Sequence, residues 1–159
     1  MTKKYIEKIL TARVYDVAVE SPLDTAKILS KRQGNKVLLK REDLQSIFSF
    51  KLRGAYNRIY QLTRVKDVNG VVAASAGNHA QGVALAADKL GLNATIVMPK
   101  TTPGIKVDAV KSFGAKTVLV GDNYDEACAY ATKYAEEQGL DFIHPYDDTD
   151  TIAGQGTIG

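Results

Sequence analysis

The chain is 159 residues long, 45% hydrophobic and 25% charged, with a formal net charge of +3. Those are the proportions of a soluble globular protein, and the length suits one ordinary domain and is short for two. The charges read as solvated surface: no basic stripe with interleaved aromatics marks a nucleic-acid surface, and no apolar run approaches the ~20 residues of a membrane span.

Met1-Thr2-Lys3-Lys4 leads into mixed sequence, without the apolar core of a signal peptide. Residues 5 to 14, with Tyr5, Ile6, Ile9 and Leu10, are expected as a short amphipathic helix. Asp24-Thr25 is expected to open a second helix through Ile28 and Leu29, closed by Gly34. Lys36 to Lys40 reads as a short strand, and a helix begins at Ser49. From residue 70 onward the pattern becomes regular. Val71 to Ala74 is a strand, followed by a helix with Val83, Ala86, Ala87 and Leu90 on one face and a stop at Gly91. Ala94 to Met98 is the next strand. Thr102 is expected to cap a helix with Pro103 at its first position and Ile105, Ala109, Val110 and Phe113 inward. Thr117 to Val120 forms a strand, Asp122 caps a helix to Gln138 that Gly139 ends, and Phe142-Ile143 lies in a further strand.

Strand, helix and glycine stop recur about every 23 to 25 residues, the length of a right-handed βαβ crossover. Apolar strands without alternation suit a parallel sheet covered on both faces, so the fold class is α/β. Thr151 to Gly159, rich in Gly and Thr, reads as a loop. The single cysteine, Cys128, leaves no internal disulfide framework. It shares a helical face with Tyr124, Ala127 and Ala131 and is expected as a small core residue, in a reducing cytoplasm.

Two stretches carry chemistry. In Ser49-Phe50-Lys51-Leu52-Arg53-Gly54-Ala55, Ser49 is placed to cap a helix whose apolar positions are Leu52, Ala55, Tyr56, Ile59 and Leu62. Lys51 then falls in the first turn, where the helix dipole disfavours an ammonium group and favours the neutral amine that attacks carbonyls. On these residues alone, a solvated lysine beside a loop is the other reading. The second stretch, Ser75-Ala76-Gly77-Asn78-His79-Ala80-Gln81-Gly82, follows a strand and opens a helix. Ligands of open α/β sheets bind beyond the carboxyl ends of strands, and the free amides of a helix start hold anions. It is neither a G-x-G-x-x-G fingerprint nor a P-loop. His79 has no Cys or second His at ligand spacing, so no metal is expected. An amine opposite an anion-binding turn suggests a carbonyl cofactor meeting an amino-acid carboxylate.

These two stretches resemble the signatures of the threonine dehydratases (threonine ammonia-lyases) among the fold-type II pyridoxal-phosphate enzymes, relatives of the tryptophan synthase β subunit. Lys40-Arg41-Glu42-Asp43-Leu44-Gln45 and Met98-Pro99-Lys100-Thr101-Thr102-Pro103 look like the same family. Glu42-Asp43 and Val14-Tyr15-Asp16-Val17 resemble its biosynthetic branch, which feeds isoleucine synthesis. The resemblance implies that Lys51 holds pyridoxal 5'-phosphate and moves the substrate's α-proton. Phe50 would pack against the pyridine ring, and Asn78 would bond its phenolic oxygen. Ser75, Gly77, Asn78 and His79 would line the carboxylate pocket. The implied reaction is β-elimination of threonine to 2-oxobutanoate and ammonia, with serine giving pyruvate.

By the same resemblance, residues 1–52 belong to a large cofactor domain, 53–146 to a small α/β domain, and 147–159 return toward the large one. The family's tetraglycine phosphate loop and its contact to the pyridine nitrogen are expected beyond Gly159, since no Gly-Gly pair occurs in the sequence. An incomplete fold is therefore expected, with weak cofactor binding by these residues alone and a homo-oligomer at full length. Ala76 stands where racemase relatives carry a second hydroxyl, which argues against serine racemisation. Another fold-type II lyase or synthase, such as a threonine or cysteine synthase, and a non-catalytic interaction module are the alternatives.

Overall fold

The computed structural model describes residues 2–159, with side chains from Tyr5 onward. In chain order the elements are α1 (Thr2–Leu10), β1 (Leu23–Thr25), α2 (Lys27–Gln33), β2 (Leu38–Lys40), α3 (Lys51–Val65), β3 (Val71–Ala74) and α4 (Asn78–Lys89). They continue with β4 (Ala94–Met98), α5 (Gly104–Lys111), β5 (Lys116–Leu119), α6 (Tyr124–Gln138), β6 (Asp141–Phe142) and α7 (Thr149–Gly156). A short 3-10 turn covers Glu42–Leu44.

The main sheet has four parallel strands in the order β5-β4-β3-β6. Side chains alternate across it because successive Cβ atoms of a strand point to opposite faces. Val71, Ala73, Ile96 and Met98 pack with α3, α4 and α5 through Ile59, Val83, Ala86, Val107 and Val110. Val72, Ala74 and Val97 pack on the opposite face against Ala127, Ala131 and Ala135 of α6. Both faces of β3 and β4 are thus covered, as the α/β reading expects of apolar strands, while the edge strand β5 begins with exposed Lys116 and ends at half-exposed Leu119. The alanines of α6 let that helix sit close to the sheet. A third apolar cluster, Val14, Ala18, Ile47 and Leu52, binds the N-terminal segment to α3.

Several local expectations are corrected. Asp24 and Thr25 lie in β1, which pairs antiparallel with β2, because Thr25 continues the strand and the helix starts only at Lys27. Ala26 precedes that helix without a side-chain cap. Thr102 does not cap α5: Pro103 holds that place, and the Thr102 hydroxyl is buried without a partner. Ile105 faces solvent, and Val107 with Val110 supplies the inner face in its place. Asn123, not Asp122, caps α6, its side chain accepting from the Glu126 amide. Residues 151–159 are mostly helical. Asp148 caps α7 by accepting from the amides of Asp150 and Thr151, so glycines at 154 and 156 do not prevent the helix.

Those glycines have a packing reason. A Cβ on Gly154 would lie 2.6 Å from the Arg53 carbonyl oxygen and 2.7 Å from the Gly54 Cα. One on Gly54 would lie 2.7 Å from the Thr151 carbonyl oxygen. Helices α3 and α7 therefore meet backbone to backbone. Around this contact Arg58 pairs with Asp148 at 2.9 Å, and the Asn57 side chain donates to the Asp150 carbonyl at 2.7 Å. Nor are all charges solvated, as the sequence suggested: Glu42 and Arg53 are buried together. No helix among the described residues is long and apolar enough to cross a membrane.

Candidate active site

The strand order reverses direction at β3. From β3 the chain moves outward through β4 to β5, then returns to place β6 on the other side. Such a switch point leaves a crevice beyond the carboxyl ends of the two strands that flank it, here β3 and β6. Here the loop after β3 begins at Ser75, and the loop after β6 carries Pro145 and Tyr146. Between them and the start of α3 lies a cavity of about 380 Å³.

Lys51, Phe50, Ser75, Asn78 and His79 all line it, with Ser49, Ala76, Tyr124, Pro145 and Tyr146. Segments 21 or more positions apart in sequence are thereby gathered around one space. Gly77 is the exception among the expected site residues: it is the N-cap of α4, and its side-chain position borders open space with no atom within 4 Å. A larger, shallower hollow of about 590 Å³ beside α2 is lined by Ile28, Leu29 and Leu39, with two cations and no nucleophile facing an anion site.

Lys51 is the first residue of α3. Ser49 does not cap the helix in the expected way, since Phe50 holds the N-cap position with helical backbone angles. The Ser49 hydroxyl oxygen instead accepts from the Lys51 amide at 3.3 Å. The chain reaches this point through Phe48, which adopts a left-handed φ of 54°. That reversal lets buried Ile47 and Ser49 flank an exposed ring. The Lys51 Nζ donates to the Pro145 carbonyl at 2.9 Å and sits 5.6 Å from the centre of the Phe50 ring. Burial holds its pKa below the ordinary lysine value, because the charged form loses hydration.

The wall opposite Lys51 is built at the start of α4. The Ser75 amide donates to Val97 in β4, fixing the loop to the sheet. Ser75 Oγ accepts from the Gly77 amide at 3.2 Å, which leaves its hydroxyl proton for a ligand. The first-turn amides of Asn78 and His79 have no intrahelical acceptor, as at any helix start. His79 is 4% exposed, and its Nε2 donates to the Ile143 carbonyl at 3.0 Å. Burial, partly offset by that bond, pushes its pKa down to about 4, so the ring is neutral at pH 7.

Reasoning from sequence missed Tyr124, Pro145 and Tyr146. The second and third were within reach, because they follow β6 as Ser75 follows β3. Tyr124, the first residue of α6, enters from the helix that covers the other face. Burial and then its contact with Cys128 raise the Tyr124 phenol to about 12, so it stays protonated. Gly82 was missed as a positioning element. A Cβ there would lie 3.1 Å from the Lys51 carbonyl oxygen, so α4 packs directly on the backbone of the lysine. Among the described residues no cluster of three His, Cys, Asp or Glu side chains could hold a metal.

Residues 15–159 match the family model described as pyridoxal-phosphate dependent enzyme. The chain is 60% identical over 156 residues to the biosynthetic, chloroplastic threonine dehydratase of Arabidopsis thaliana, covering 98% of this chain and 26% of that protein. It is 56% identical over 157 residues to the biosynthetic L-threonine dehydratase of Burkholderia multivorans, covering 97% of this chain and 31% of that one. The processed threonine deaminase isoform 2 of Solanum lycopersicum superposes with a TM-score of 0.92 at 54% identity, over 98% of this chain and 46% of that structure. The chain thus spans about a quarter to a third of the length of these curated relatives. With the family model covering all but the first 14 residues, the chain belongs to the pyridoxal-phosphate dependent enzymes.

Proposed function

We propose that the full-length protein carrying this chain is a biosynthetic threonine ammonia-lyase. It converts L-threonine to 2-oxobutanoate and ammonia, and L-serine to pyruvate and ammonia, as the first step of isoleucine formation. One observation carries the reading: a lysine amine whose charged form is disfavoured shares a cavity with the amide-rich start of α4. Two relatives over 55% identical are named threonine dehydratases, which supports the choice of substrate.

The residues present fit pyridoxal phosphate. The Lys51 amine and the Phe50 ring stand side by side in the wall, and open space borders the Gly77 backbone where a side chain would otherwise project. When bound, the cofactor supplies a carbonyl carbon for the lysine and an electron sink for charge developing at the substrate Cα.

Lys51 would hold the cofactor, and its free amine is placed to take the α-proton of the substrate. Its depressed pKa keeps a larger fraction of the amine ready as a base at neutral pH. Ser75, Gly77, Asn78 and His79 receive the substrate carboxylate through the Ser75 hydroxyl and the amides of the α4 start, with the helix dipole favouring the anion. With pyridoxal phosphate bound, Asn78 would bond its phenolic oxygen and Phe50 would cover one side of its ring. The β-hydroxyl leaves with a proton as water, and hydrolysis of the dehydrated product returns that water and frees ammonia.

The division into a large-domain part (1–52), a small domain (53–146) and a returning segment (147–159) belongs to this reading, as does assembly into a homo-oligomer. A reducing compartment such as the cytoplasm suits the free thiol of Cys128. The test is Lys51→Ala in the full-length protein, with threonine-dependent release of 2-oxobutanoate as readout. A fall of at least about a thousandfold is expected for loss of the proton-transferring group. Unchanged release removes Lys51 from the mechanism, and a parent enzyme inert toward threonine removes the substrate assignment.

A further inference from the structure

We propose that His79 is a positioning residue: through Ile143 it fixes the backbone strap whose Pro145 carbonyl holds the Lys51 amine. The inference rests on Lys51 being the reactive amine.

The strap is residues 143–146, which leave the sheet after β6. That strand is only two residues long and lies at the edge, and past it the buried Ile143 side chain is the strap's one anchor in the core. The Ile143 amide donates to Val72 at 2.8 Å, the last sheet bond before the strap departs. Pro145 has no amide hydrogen with which to continue a ladder. The carbonyl of Ile143 is taken by the His79 imidazole at 3.0 Å, and the carbonyl of Pro145 by Lys51 Nζ at 2.9 Å. Between them, His144 Nδ1 accepts from the Tyr146 and Asp147 amides, which curls the strap back on itself. His79 and Lys51 thus grip the same short segment, two residues apart.

The state of the imidazole supports a task beyond packing. A carbonyl can only accept, so Nε2 carries the proton and Nδ1 is a bare acceptor. His79 Nδ1 is buried with no hydrogen-bond partner. A residue needed only to fill space here would be apolar, since an unmet buried polar atom is unfavourable. Burial also keeps the ring neutral, so it places no second cation beside the lysine. The titratable groups lining the cavity with Lys51 are His79 from α4, Tyr124 from α6 and Tyr146 from the strap; no carboxylate is among them.

If the strap loosens, Pro145 and Tyr146 withdraw as walls and water reaches the amine. Exchanging one carbonyl acceptor for water is nearly neutral, whereas renewed hydration favours the ammonium. The experiment measures the pH profile of Lys51 acetylation by acetic anhydride in the cofactor-free, full-length protein, read by mass spectrometry. Exposed Lys89 and Lys111 serve as internal standards. His79→Leu and His79→Asn, neither of which presents a donor at the Nε2 position, are expected to raise the Lys51 midpoint by about one pH unit. His79→Gln, whose amide nitrogen reaches that position, is expected to keep the parent profile. Should His79→Leu not fold, the Asn and Gln variants carry the comparison. A parent-like Lys51 profile in folded His79→Asn, or an equal rise in His79→Gln, overturns the proposal. Because the readout needs no turnover, its failure is separate from a failure of the threonine assignment.

Discussion

Arg53 grips Glu42 with two parallel hydrogen bonds inside the protein, Nε to Oε2 at 2.7 Å and Nη2 to Oε1 at 2.9 Å. The same carboxylate accepts from the Ser21 hydroxyl at 2.6 Å and from the Gln45 amide. Gln45 in turn bonds both backbone groups of Val19. The pair therefore ties the N-terminal segment and the 3-10 turn to α3, two residues beyond Lys51. Removing one partner of a buried pair leaves an uncompensated charge, which costs about 3–5 kcal/mol. Glu42→Gln is expected to lower stability by that order in urea unfolding, and Arg53→Lys to fall short of the parent because a single ammonium cannot reproduce the fork.

Acid should unfold the protein in two stages, and His79 governs the first. Its pKa is about 4 when folded, against about 6.5 for a free imidazole. Between those values the unfolded chain binds the extra proton, so stability falls with pH by up to about 1.4 kcal/mol per unit from this group. Glu42 governs the later stage. Burial alone would raise its pKa, but the bonds from Arg53, Ser21 and Gln45 outweigh burial and hold it below the ordinary carboxylate value. Its contribution is present above the ordinary value and is lost as pH falls through the lowered one. Unfolding free energies measured from pH 7 to 3 should show both stages, and His79→Gln should lack the first.

Gly54→Ala and Gly154→Ala each force a methyl group against backbone atoms of the facing helix. Overpacking of this kind costs typically about 1–3 kcal/mol, and more where backbone must shift. A lowered Tm is expected for each. The double variant should lose less than the sum of the two, because either change already separates the helices.

Gly82→Ala is a milder intrusion with a sharper functional effect. The added methyl would lie 3.1 Å from the Lys51 carbonyl oxygen, so α3 or α4 must give by a few tenths of an ångström. Misplacement of a reacting group by about 1 Å can cost a hundredfold in rate. A roughly tenfold fall in kcat, with little change in Tm, is expected. An unchanged kcat would show that the amine tolerates the shift.

The sheet was legible in the sequence because β3 and β4 are apolar runs closed by a loop, and the structure places both at the expected residues. Helix starts were read less well. Asp122 and Asn123 are both good caps, and only the backbone decides that Asn123 takes the position. Thr102 carries a capping side chain but lost to Pro103, whose φ of −57° and ψ of 139° are the extended angles of a residue just outside a helix. Helix α7 was hidden because Gly154 and Gly156 weigh against a helix locally, while the close approach to α3 that favours them is tertiary. The lysine and the anion loop were legible as local patterns. Their shared cavity was not, because it depends on the carbonyl strap after β6, which carries no periodic signal, and on Tyr124, whose helical spacing reads as the core face of α6.

The contact of Gly54 with Gly154 also limits how this cavity can change shape during divergence. Backed by another main chain at no more than a methyl's clearance, the lysine-bearing helix has nowhere to retreat. Enlargement must therefore come from the opposite rim, where the rings of Tyr124 and Tyr146 remain 41% and 64% exposed. Descendants that accept bulkier ligands should record that history at those two aromatic positions, with the glycine seam left untouched.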